Sequence, residues 1–111
     1  MAVVSSTRSK QELEDAVKSV VAQFPDDIVY IRHSIRGDWT DEPSFFFRVV
    51  LNDRFDPKAI VRDPVSRAAF SDTVNSIRAA IEDAFAPDGL MNYVYFRTAS
   101  EQNELRDPEW E

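Results

Sequence analysis

Residues 28–53 read IVYIRHSIRGDWTDEPSFFFRVVLND, and this stretch decides the fold. Successive side chains of a β-strand point to opposite faces. Over 28–36, Val29, Ile31, His33 and Ile35 fall on one face, and Ile28, Tyr30, Arg32, Ser34 and Arg36 on the other. Over 44–53, Phe45, Phe47, Val49 and Leu51 share a face; Phe46, Arg48, Val50 and Asn52 take the other. Gly37 to Pro43 between them is polar and reads as a hairpin loop. Keeping the two apolar faces together requires paired residues whose numbers have an even sum. A sum of 80 sets Ile35 against Phe45, His33 against Phe47 and Arg32 against Arg48. Like charges directly opposed on a sheet are unfavourable. That register therefore needs relief from an anion, from a carboxylate of the tail or a partner, or from stacking on Tyr30, Phe46 or Tyr95. A two-residue shift would separate the arginines instead.

Outward from the hairpin, Ser9-Lys10-Gln11-Glu12 has the spacing of a capping box. Leu13, Ala16, Val17, Val20, Val21 and Phe24 follow at helical spacing until Pro25. This predicts a helix over about 9–24, preceded by a loose arm, 1–8. Asp56-Pro57 and Asp63-Pro64 are both helix-start signals. The first predicts a turn around 57–61. The second opens a helix over about 64–86 with the stripe Phe70, Val74, Ile77, Ile81 and Phe85. Residues 92–98 predict a third strand, with Tyr95-Phe96-Arg97 repeating the aromatic–apolar–arginine pattern of Tyr30-Ile31-Arg32 and Phe46-Phe47-Arg48.

The expected fold is α+β: one two-layer αββαβ domain over 9–98, a three-stranded mixed sheet with two helices on one face, and an acidic tail over 99–111. The third strand follows a helical crossover and should run parallel to the second. Apolar faces place Val29, Ile31, Phe45, Phe47, Val49, Val94 and Phe96 against Val17, Val20, Phe70, Val74, Ile77 and Ile81. In element order the chain resembles type II KH domains and BolA-like proteins. The Gly-x-x-Gly loop of a KH domain is missing, so the resemblance carries no function.

Composition narrows the function classes. The chain has 111 residues, a net charge of −7 and no cysteine. The charge disfavours non-specific binding to nucleic acid or anionic lipid, which both need a positive field. The missing thiols exclude disulfides and thiolate chemistry. No segment reaches the ~20 apolar residues of a membrane helix, and the first residues lack a signal-peptide pattern. These readings predict a cytoplasmic protein with no membrane partner.

No pattern predicts a catalytic or metal site or a cofactor. His33 is the single histidine, on an apolar face, where a packed core residue is the expected role. The candidate binding surface is the second sheet face, with Tyr30, Arg32, Phe46, Arg48, Tyr95 and Arg97. A second candidate is the loop residues Trp39, Asp41 and Glu42 together with Trp110 of the tail. Left open, the sheet face with Tyr93 and Val50 would form an apolar patch suited to a homodimer, or one that the tail covers with Trp110 as anchor. The expectation is a small acidic interaction or regulatory protein binding a macromolecular partner, one with a basic surface, as an antitoxin- or inhibitor-like subunit would. The alternative is a ligand-binding module gripping phosphate, nucleotide or single-stranded nucleic acid through the arginines and aromatics.

Overall fold

The computed structural model describes residues 9–55 and 64–110. Six principal elements follow in order: α1 (Lys10–Gln23), β1 (Ile28–Gly37), β2 (Pro43–Leu51), α2 (Pro64–Phe85), β3 (Met91–Thr98) and α3 (Ala99–Leu105). The fold is α+β. Its sheet has the order β1-β2-β3, with β1 antiparallel and β3 parallel to the central β2. The arm 1–8, the turn around 57–61 and the Asp63 cap lie outside the described residues.

Local chemistry sets the helix ends. Ser9 Oγ accepts from the Glu12 N–H, and the Glu12 carboxylate accepts from the Ser9 N–H, closing the capping box of α1. Thr98 and Glu101 repeat this reciprocal cap at the start of α3. That device turns the end of β3 directly into a helix within the acidic tail.

One core joins the helices to one sheet face. Leu13, Val17 and Val20 of α1 and Ile77, Ile81 and Phe85 of α2 pack with Ile31, Phe45, Phe47, Val49 and Val94. The Phe47 ring meets Phe85 edge-on at 4.8 Å and Phe45 at 5.5 Å. Phe70, Val74 and Phe96 join at the border, partly buried.

The hairpin register is the one with paired numbers summing to 80, and Arg32 stands opposite Arg48. It breaks at the start of β1, where Ile28 pairs with Leu51 and Tyr30 with Val50. Val29 is the extra residue of a β-bulge. The bulge corrects the expected alternation: Ile28 enters the core, and Val29 is 49% exposed. On the other sheet face the structure takes the second of the two expected arrangements, the tail cover with Trp110 as anchor. That face is not left open, because the C-terminal segment folds over it; Val50 is 1% and Trp110 7% exposed.

Candidate functional site

Two surfaces gather the candidate residues. The first is the sheet face beneath the C-terminal segment. Parallel pairing of β2 and β3 aligns Arg48 with Tyr95 and Val50 with Arg97. With the hairpin register, this makes cross-sheet rows Arg32–Arg48–Tyr95 and Tyr30–Val50–Arg97. Glu109 reaches down from the tail. Its carboxylate lies 3.4 Å from the Arg48 guanidinium and 3.3 Å from that of Arg36. Arg48 is 6% exposed, so Glu109 supplies the counter-charge that a buried cation requires. Ser34 Oγ accepts a further hydrogen bond from Arg48 at 3.3 Å.

Stacking handles the other cations. The Arg32 guanidinium lies 4.7 Å from the Tyr30 ring centre, and that of Arg36 lies 4.8 Å from Phe46. Phe46 in turn stacks on Tyr93 at 5.1 Å. Arg97 sits 4.1 Å from the Trp110 ring and donates to Gln102 Oε1 at 2.8 Å. Gln102 Nε2 donates to the Asp107 carbonyl, which ties α3 to the final turn. Two of the remedies that the opposed arginines demand are thus met within the chain, a tail carboxylate and aromatic stacking.

The second surface is the β1–β2 loop. Asp38 organises it. Its Oδ1 accepts from the Thr40 N–H at 2.8 Å, the Thr40 hydroxyl at 2.6 Å and the Glu42 N–H at 3.2 Å. Its Oδ2 accepts from the Tyr93 hydroxyl at 3.0 Å and the Ser44 hydroxyl at 3.3 Å. Backbone bonds from Asp38 N–H to Glu42 C=O and from Asp41 N–H to Asp38 C=O close the turn. These donors, the Thr40 hydroxyl foremost, favour the carboxylate and hold the Asp38 pKa down to about 2, against partial desolvation. The same contact raises the Tyr93 pKa, because its hydroxyl donates to an anion. Asp41 adopts φ 67°, a left-handed conformation that aspartate tolerates better than most residues. A Cβ at Gly37 would lie 3.1 Å from Asp41 Oδ1, a tight approach that the exposed Asp41 side chain can relieve.

Trp39 rides on this scaffold and is 90% exposed. It does not pack over the sheet end. A cleft of about 400 Å³ opens beside it, bordered by Pro43, Leu90, Met91 and Tyr93. Asp41 and Glu42 are exposed next to the indole. Trp110, which sequence reading groups with this loop, lies instead against Arg97.

His33 pairs with Phe47 and is half-buried. Burial pushes its pKa below the ordinary value and Lys10 adds to this, while Glu14 opposes it. Among the described residues, no three His, Asp or Glu side chains gather as a metal site, and no helix is long and apolar enough to cross a membrane.

Sequence reading misses Asp38 and Glu109 as organising residues. The signal for Asp38 is an Asx turn, an aspartate two residues before a threonine, which is easily read as plain solvated loop. Glu109 is one of several tail acids, and nothing local distinguishes it. No protein-family model matches this chain, and comparisons with curated proteins and with solved structures find no match.

Proposed function

We propose that this protein is a small interaction module that binds a macromolecular partner through the Trp39 loop. One observation carries the reading: a 90% exposed tryptophan held on a loop whose backbone is pinned by a single aspartate. Exposed indole surface is unfavourable in water. A preorganised loop lets an aromatic anchor bind without first losing conformational entropy. The flanking Asp41 and Glu42, and the net charge of −7, suit a partner pocket that is apolar at its base and basic at its rim. An inhibitor- or antitoxin-type subunit would use such an acidic contact against a basic partner. The rival reading, an anion site at Arg32, Arg48 and Arg97, would first require Glu109 and Trp110 to leave the face.

The test compares wild type with Trp39→Ala as bait in extracts of the native host, followed by affinity measurement on the partner recovered. Trp39→Ala should keep the melting temperature of wild type and weaken the complex by at least ~2 kcal/mol, as truncated interface anchors do. Equal affinity of both baits for the same partner would overturn the reading.

A further inference from the structure

The outer edge of β1 lies beside a groove of about 630 Å³. Lys10, Glu14, Val17, Lys18 and Val21 of α1 form one wall, and the five consecutive residues 29–33 of β1 form the other. Neighbouring strand residues point to opposite faces, so a groove that touches five in a row runs along the strand edge. Among the described residues, no strand pairs with that edge. Such an edge is a template for an added strand.

Charge and size choose the occupant. The chain contains only three lysines, and two of them, Lys10 and Lys18, line this groove. They outnumber the lone carboxylate, Glu14, in a protein whose net charge is −7. A second copy docking edge to edge would bring these cations near their own symmetry mates, which is repulsive. The apolar floor, Val17 and Val21 between Lys10 and Lys18, suits an apolar side chain flanked by acidic ones on the same side of a strand. Five strand residues span roughly 16 Å at ~3.3 Å each.

We propose that the α1–β1 groove binds an extended acidic segment of a partner protein, about five residues long, which extends the sheet beside β1 as a fourth strand. Lys10 and Lys18 pair with carboxylates at the two ends of its α1-facing side, and an apolar side chain between them sits on Val17 and Val21. This site is separate from the Trp39 loop.

The probe is a fluorescein-labelled hexapeptide Glu-Glu-Val-Val-Glu-Glu, which as a strand presents glutamate, valine and glutamate to α1, titrated by anisotropy against the full chain at low salt. Two controls are the lysine–valine counterpart and the acidic peptide with alternate backbone nitrogens methylated. The acidic peptide should bind, and both controls should bind at least tenfold more weakly. The double variant Lys10→Glu/Lys18→Glu should lose at least tenfold in affinity; Lys18→Gln, a milder change at an exposed helix position, should lose part of it. Amides within 29–33 should gain protection from hydrogen exchange. Trp39→Ala should bind the peptide as wild type does, so this site and the loop can fail independently. Equal affinity for the acidic and methylated peptides, no loss on charge reversal, or a wild-type dimer with the β1 edge already protected would each overturn the proposal.

Discussion

Glu109 is the residue on which the second sheet face turns. Its carboxylate sits 3.4 Å from a guanidinium that the sheet register places opposite Arg32. The glutamate is half exposed, so solvent screens the pair and its worth is about 1 kcal/mol. Glu109→Gln should cost that amount in urea denaturation, and added salt should narrow the gap by screening the half-exposed Glu109–Arg48 attraction. A gap that widens with salt would contradict this account. Asp38 offers a pH test. Its folded pKa, about 2, lies below its ordinary 3.8. The unfolded chain therefore binds the proton more readily, and the stabilisation is complete above 3.8 and lost as pH falls towards 2. The stability difference between wild type and Asp38→Asn should shrink across that window in acid titrations followed by circular dichroism.

The hairpin shows what was legible at the scale of elements and what was not. Its register follows from the strict apolar alternation of Phe45, Phe47 and Val49, which one-residue slippage would expose. The long helix follows from the Phe70–Phe85 stripe, and the first from its capping box. The bulge at Val29 escapes sequence reading because Ile28 and Val29 are both β-branched and apolar, so either could face inward. A direct comparison separates the two: Ile28→Ala should cost ~2–5 kcal/mol as a buried truncation, while Val29→Thr should stay within ~0.5 kcal/mol. Chemical denaturation of both variants checks it. The cover over the second face was legible only as one of two alternatives, the other being a homodimer. Only Trp110 in that acidic segment signals burial, and its docking depends on Arg97, which is distant from it along no regular pattern. The α1–β1 groove arises from how a helix sits against a strand edge, a tertiary relation that no local pattern encodes.

For the molecule as a whole, β3 has a cost that binding arguments leave aside. It is an edge strand, and Asn92-Tyr-Val-Tyr-Phe96 within it carries no charge, no proline and high β-propensity. Segments of that composition seed intermolecular β-stacking when they open to solvent. Self-repulsion from the net charge of −7 keeps copies apart at neutral pH. At the isoelectric point, about 4.7, this barrier vanishes while the Asp38 carboxylate is still ionised and the loop intact. Light scattering on mild heating should therefore rise fastest near pH 4.7, and Tyr95→Lys, a charge placed on the exposed flank of β3, should suppress it. The acidity that suits this protein to a basic partner is thus also its colloidal protection, and a partner that neutralised that charge without covering β3 would leave the complex prone to precipitate.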